Sequence, residues 1–557
     1  MSKKGNKTRI IFAVTSPRTL EKIIPEIPIL TDNFSGQVWN QQTQTEFYHK
    51  LSSSPFYEGK VLQKNPDFAA RDRMNRAPKG LGFVQLYPII ELTEVGKNLL
   101  EGKRTHEVFA RQLFKFQYPS PFHDDLPEGF NVRPYLELLR LTNELGSLSK
   151  EEIQIFGVQV TNYNKYKKVV SKIKDFREEL KGIKINRKRY VDDVLTRELK
   201  IIYAEDIQKG NIATREGSDN SLKTFLTKKK GLHKDYADAF MRYLRATQLI
   251  YFDSKTIRMY ISPSRSEEVE WLLKNINRNA LKFDSEEAYR EYLYNPASLG
   301  LLTDDKEFLK KKLAILGLPL NERSSIEQLK DLLEETEAAM TIQAVKHTEQ
   351  SLKGYKEFDD VISVFGQIVR KQVIDPALYL EWNVWRSFVM MNYTKDIKGH
   401  FTVDLDGNPL RHAGGNLPDI EIEYENFKMI VEVTTSTGAK QYEMEGEPVA
   451  RHFGKMQLSS PLPVYCLFVA PNINEYSFAH FYNLNRMNTK LYGGKTRIIP
   501  LTLKQFISLI TNAKEKDFNN SQMLKAYLDL LIGHLDIVDD ELGWSEIIEG
   551  TSPAWLN

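Results

Sequence analysis

Asn416-Leu417-Pro418-Asp419-Ile420-Glu421-Ile422-Glu423-Tyr424-Glu425-Asn426-Phe427-Lys428-Met429-Ile430-Val431-Glu432-Val433-Thr434 is the stretch on which the fold turns. From Asp419 onward, Ile420, Ile422 and Tyr424 alternate with Glu421, Glu423 and Glu425, the period of two that marks a half-buried strand. Glu425-Asn426 reads as a turn, and Phe427 to Thr434 as an apolar, β-branched central strand. A glutamate inside such a strand needs a reason, because an unpaired buried carboxylate is costly. A bound cation supplies one. In an antiparallel pair joined by a tight turn the start of the first strand lies beside the end of the second, so Asp419 and Glu432 are expected as cross-strand neighbours. Two carboxylates there form a hard oxygen site that suits Mg²⁺ with waters and a phosphate. The bland alternative is a surface hairpin with one acidic face.

Pro418-Asp419 followed by Glu432-Val433-Thr434 resembles the catalytic signature of the PD-(D/E)xK nucleases. The flanks His412-Ala413-Gly414-Gly415-Asn416 and Gln441 to His452 resemble the AlwI, MlyI and PleI group of type IIS restriction endonucleases, which includes nicking relatives. Thr15-Ser16-Pro17-Arg18-Thr19, Ala70-Arg71-Asp72-Arg73, Leu380-Glu381-Trp382-Asn383 and Tyr492-Gly493-Gly494-Lys495-Thr496 spread the likeness over the chain. The resemblance implies a bacterial cytoplasmic enzyme that hydrolyses phosphodiesters with Mg²⁺ at a fixed offset from a short asymmetric duplex sequence, GAGTC for the nearest branch. It also implies a catalytic set of Glu381, Asp419, Glu432, Glu445 and His452, with Asp419, Glu432 and the Val433 carbonyl as metal ligands. One departure stands out: Thr434 occupies the position usually held by lysine. Proton handling then falls to Glu445 and His452, ahead of Lys440 and Gln441.

A chain of 557 residues is too long for one core, and 41% hydrophobic content is ordinary for a globular protein. No apolar run approaches the roughly 20 residues of a membrane-spanning helix. Met1-Ser2-Lys3-Lys4-Gly5 is followed by too short an apolar patch for a signal peptide. The lone cysteine, Cys466, is expected in a buried strand and suits a reducing compartment. Zinc spacing is absent, and Gly493-Gly494-Lys495 lacks the phosphate-loop pattern, so no use of ATP is expected.

The net charge of +3 says little about nucleic acid, but its distribution says more. Lys165 to Arg189 and Lys228-Lys229-Lys230 are basic, whereas Asp536 to Glu549 is acidic. Four regions are expected. Residues 1–148 and 149–275 read as two mostly helical, winged-helix-like DNA-recognition subdomains. Residues 276–356 read as a helical linker, in which Ile326, Leu329, Leu332 and Leu333 share a face and Pro319 and Asn321 to Ser325 interrupt. Residues 357–557 read as an α/β, restriction-endonuclease-like PD-(D/E)xK domain with a mixed sheet. In the first subdomain a helix from Asp67 to Asn75 precedes a hairpin at Phe83 to Leu92 and a helix capped by Thr93. In the second, a helix from Tyr236 to Thr247 precedes a hairpin turning at Asp253-Ser254. Arg71, Arg73, Arg76 and Lys79 then line or follow one candidate recognition helix, and Arg242 and Arg245 lie on the other. Arginine can bond guanine O6 and N7 together, worth about 1–3 kcal/mol of discrimination, although phosphate contacts or ion pairs are commoner roles.

Asp375 is expected to cap a helix beginning at Pro376, with Glu381 at the edge of its apolar stripe. One such site cuts one strand, so double-strand cleavage calls for a second copy or a smaller partner subunit. Two alternatives share these residues: a strand-specific nicking enzyme, and a winged-helix DNA-binding protein with an inactive nuclease fold.

Overall fold

The computed structural model describes residues 8–54, 56–57, 64–123, 126–214, 220–319, 321–414, 416–516, 518 and 520–551. Met1-Ser2-Lys3-Lys4-Gly5 and Gly415 lie outside the described residues. The chain forms a multidomain, largely helical protein with a mixed sheet, dividing into two compact units, Met1–Glu337 and Ala338–Asn557. None of the described helices is long and apolar enough to cross a membrane.

In the first unit the segment Pro66–Met74 is helical, Val84–Gln85 and Glu91–Leu92 form a short antiparallel ladder, and Glu94–Leu100 follows. Thr93 caps this last helix by accepting the Gly96 N–H at 3.0 Å. The later helix is longer than its amphipathic core suggested, running from Leu222 to Ala246 with Ser221 as its cap. It leads into Ile250–Asp253 and Arg258–Ile261, which pair as expected, and Leu148–Ser149 adds a third strand against Arg258–Ile261.

The segment expected as a linker contains Lys306–Ile315 and Ile326–Leu352. Leu329 and Leu333 pack on Leu309 and Leu313, and Lys330, 5% exposed, bonds Glu107 at 2.9 Å and Asp304 at 2.7 Å. Arg104 reaches Asp331 at 2.5 Å. The first turns of Ile326–Leu352 are therefore a packing element of the first unit rather than a free spacer.

The second unit is built on five strands in the order Ile498–Thr502, Val464–Ala470, Lys428–Val433, Ile420–Glu423 and Asp396–Gly399. The first three run parallel, and each of the other two is antiparallel to its neighbour. Ile430, Cys466, Phe468 and Ile498 alternate onto one face, where they meet Val449, Ala450, Phe453 and Phe481 of the helices Ala439–Ser459 and Glu475–Arg486. Met429, Val431, Leu467 and Val469 point to the other face and are equally buried, so that face must also be covered. Pro376–Met391 and Leu503–Glu515 pack against these strands, with Phe388 and Phe506 ring centroids 5.5 Å apart.

Helix Ala439–Ser459 runs close to its neighbours at one point. A Cβ on Gly454 would lie 2.8 Å from Tyr492 Cα, whereas one on Gly446 would meet His480 at an ordinary 3.4 Å. Gly454→Ala is expected to destabilise the second unit by about 1–3 kcal/mol through overpacking. Gly446→Ala should instead be neutral or stabilise it by up to about 1 kcal/mol through helix propensity. Denaturant unfolding of the two variants checks the contrast.

Candidate active site

The ladder decides which side chains meet. Val431 pairs with Ile420, so the next residues along, Glu432 and Asp419, stand side by side. Directly opposed residues share a face, and the Asp419 carboxylate closes the contact by accepting the Val433 N–H on Oδ2 at 2.7 Å. Asp419 is half-buried and Glu432 is 8% exposed.

Glu381 comes from the helix Pro376–Met391 and is 5% exposed. Its Oε1 shares a 2.5 Å hydrogen bond with His412 Nδ1, while its Oε2 is buried without a hydrogen-bond partner among the described residues. Asp375 does not cap the helix. Its backbone is left-handed, with φ 57°, its side chain makes no capping bond, and its Oδ1 faces His412 Nε2 at 3.2 Å. His412 thus sits between two carboxylates. Burial alone would lower its pKa, but the charges of Glu381 and Asp375 overcome this and raise it well above the usual histidine value.

Glu445 and His452 lie on Ala439–Ser459, seven residues and about two turns apart, and therefore on one face. His452 Nδ1 and Glu432 Oε1 share a 2.7 Å hydrogen bond, and His452 Nε2 is buried without a hydrogen-bond partner among the described residues. Burial, helped by the Arg451 charge, lowers His452 to about 4, so its imidazole is neutral at pH 7. Gln441, at the start of the helix, is committed elsewhere: its amide donates to Ser436 O at 3.0 Å and Asn472 O at 2.9 Å and accepts the Asn474 N–H at 2.7 Å. Lys440 is exposed. Thr434 is buried, and its hydroxyl oxygen accepts the Ser436 N–H at 3.0 Å, shaping the turn that follows the strand.

The carboxylates feel one another. Asp419 is held well above the usual carboxylate range by burial, then by the charges of Glu381 and Glu432. Glu432 is raised by burial, then by Glu445 and Glu381. The five residues Glu381, Asp419, Glu432, Glu445 and His452 therefore form one electrostatic cluster. Among the described residues no group of three or more His, Cys, Asp or Glu side chains is gathered as a metal site. The donors brought together are hard oxygens: the Asp419 and Glu432 carboxylates side by side, and Glu381 Oε2, which has no hydrogen-bond partner among the described residues. Beneath it, the Cys466 thiol is fully buried and kept protonated by burial and by the charges of Glu432 and Asp419.

The candidate DNA-contacting side chains have mixed fates. Arg73 bonds the buried carboxylate of Glu26, and Arg242 bonds Asp238 at 2.9 Å. Arg245 is 3% exposed and presents no donor to a groove. Lys79 lies over the rings of Phe122 and Tyr87, at 4.5 and 5.4 Å, and burial lowers its pKa. Arg71 and Arg76 are about half exposed, in helix-surface pairs with Asp67 and Asp72. Of the basic run, Lys167, Lys168, Lys174, Lys184, Arg187, Lys188 and Arg189 face solvent, whereas Lys229 stacks on Tyr203 and Lys230 pairs with Asp192.

The second unit carries a mixed sheet with clustered carboxylates beside it, and the first is largely helical with exposed lysines and arginines between residues 167 and 189. The chain belongs to the AlwI restriction endonuclease family, whose model matches residues 80–509. It is accordingly a type II site-specific DNA endonuclease. No protein with a curated description is similar enough to match. Among solved structures, the small subunit R.BspD6I2 of the heterodimeric restriction endonuclease R.BspD6I is 28% identical, covering 35% of this chain and 98% of its own, with a TM-score of 0.31. The BpuJ1 endonuclease binding domain, solved with modified DNA, is 15% identical over 52% of this chain and 97% of its own, at a TM-score of 0.32. Restriction endonuclease FokI is 11% identical over 93% of this chain and 98% of its own, at a TM-score of 0.24.

The raised carboxyls carry a sign. Both bind protons more tightly folded than unfolded, so their contribution to stability is full below the ordinary carboxylate range and is lost as pH rises through their elevated values. In EDTA, Asp419→Asn is expected to melt a few degrees above wild type at pH 8. The difference should vanish only below about pH 3.5, under the ordinary aspartate value, as scanning calorimetry across pH would show.

Proposed function

We propose that this endonuclease is of type IIS. Its first unit, through winged-helix-like elements at 66–100 and 222–261, binds a short asymmetric duplex sequence, GAGTC. Its second unit, a PD-(D/E)xK domain, hydrolyses phosphodiester bonds a few base pairs outside that sequence with Mg²⁺. The observation that carries this reading is the pairing of Asp419 with Glu432 at the end of the antiparallel ladder, with the partnerless Glu381 Oε2 in the same electrostatic cluster.

Asp419, Glu432 and the Val433 carbonyl are the groups that would hold the cation, with Glu381 as the further oxygen donor. A divalent cation held there would supply neutralisation of phosphate charge and a more acidic water. Glu432 Oε1 engages His452 at Nδ1, and with the ring hydrogen there the lone pair is left on Nε2. That nitrogen can take a proton from the attacking water, with Glu445 on the same helix face sharing the task. The role that lysine plays in the common signature thus moves from the strand to the helix, because Thr434 is held in its turn.

One such site cleaves one strand. A double-strand break requires two catalytic units, from a second copy or a smaller subunit, while a chain acting alone nicks.

Asp419→Ala is expected to abolish Mg²⁺-dependent cutting while binding to the cognate duplex in EDTA persists; cutting by this variant would overturn the site. If about six to ten phosphates are contacted, cognate affinity should fall by a factor on the order of 10³ to 10⁵ between about 50 and 200 mM salt, measured by anisotropy titration. Sequencing the ends made on a plasmid of known sequence tests GAGTC and the offset. The ratio of linear to nicked product against enzyme concentration separates paired from solitary action.

A further inference from the structure

His412 is joined to the site by geometry rather than by any role in the chemistry described so far. It follows the strand Pro409–Arg411, and its two ring nitrogens are occupied by Glu381 Oε1 at 2.5 Å and Asp375 Oδ1 at 3.2 Å. Both carboxylates belong to the start of one helix: Asp375 immediately precedes it and Glu381 lies within its second turn. Glu381 has three side-chain torsions, and without a partner its carboxylate has several staggered settings to choose from. The ring bond selects one of them. It uses one oxygen and leaves the other buried with no protein partner, an arrangement that is costly unless something else binds that oxygen.

We infer that His412 is a positioning residue: bridging Asp375 and Glu381, it holds Glu381 Oε1 so that Oε2 is presented to the divalent cation or to a water in its shell. This rests on the metal-dependent reading of the site given above. It assigns His412 no contact with substrate and no part in proton transfer. A histidine that sets the orientation of a carboxylate beside a metal works like other outer-shell partners, whose loss typically weakens metal affinity or activity about 10- to 100-fold. Asp375 in turn fixes the ring, which explains why a residue placed where a helix cap is expected makes no capping bond.

The test uses the full chain with His412→Ala, His412→Asn, Asp375→Asn and the reference Asp419→Ala. The readouts are the Mg²⁺ concentration for half-maximal cutting, the rate at saturating Mg²⁺, Tb³⁺ luminescence excited through tryptophan on the metal-free protein, and the unfolding temperature. His412→Ala is expected to raise the half-saturating Mg²⁺ and weaken Tb³⁺ binding, both by about 10- to 100-fold. The saturated rate and the cognate binding in EDTA should change far less. Asparagine retains an amide donor near the Nδ1 position and should recover much of the Tb³⁺ affinity, and Asp375→Asn should show a smaller loss. The inference is overturned if His412→Ala keeps wild-type dependence on both ions. It is equally overturned if His412→Ala and His412→Asn lose cutting alike and unfold at lower temperature, since that describes a fold staple. Failure of the site itself registers elsewhere, as persistent cutting or Tb³⁺ binding by Asp419→Ala.

Discussion

Like charges brought together in a dry place repel strongly, and the second unit is arranged around that fact. The ladder between Ile420–Glu423 and Lys428–Val433 sets Asp419 next to Glu432, and Glu381 and Glu445 add their charges to the same region. Nothing in the hydrophobic core asks for this. Such a concentration of carboxylates lowers the stability of the fold, so the cluster marks a place that packing alone would not produce.

The scaffold resists that repulsion from three directions. Parallel pairing of Lys428–Val433 with Val464–Ala470 fixes the Glu432 strand at the centre of the sheet. Gln441 ties the start of the Ala439–Ser459 helix to the loop at Asn472 and Asn474, which sets the height of Glu445 and His452 over the strands. The Glu381 helix is secured through Arg386, which is 2% exposed and bonds Glu357 at 2.9 Å and Asp360 at 2.6 Å. Each tether acts at a distance from the carboxylates it positions. The same economy of charge governs the first unit, where Glu152, 1% exposed, is shared by Arg177 and Arg258, and Arg265 pairs with Glu268 and Glu337.

Periodicity made the strand pair legible: alternating Ile420, Ile422 and Tyr424, then an apolar run broken by one glutamate, left few ways to pair, and the register followed from the short turn. The start of the Glu381 helix at Pro376 was equally readable. The Ala439–Ser459 helix was not, because Gly446, Pro448 and Gly454 punctuate it and hide its apolar face until the sheet is there to receive Val449 and Phe453. The edge strand Asp396–Gly399 carries too few apolar residues to announce itself. Asp375 and His412 were visible as residues, but their bridge closes over 37 positions and leaves no local trace. For the arginines, sequence supplies charge and helix, and only packing tells that Arg73 answers Glu26 or that Arg245 is enclosed.

Cys466 lies under Glu432 on the same face of the sheet, wholly enclosed, with its thiol kept protonated. A thiol must ionise and be reached before it reacts, and this one is denied both conditions. Alkylating reagents and mild oxidants therefore have no foothold beside the clustered carboxylates, and the enzyme needs no reductant in storage to keep its only sulfhydryl intact.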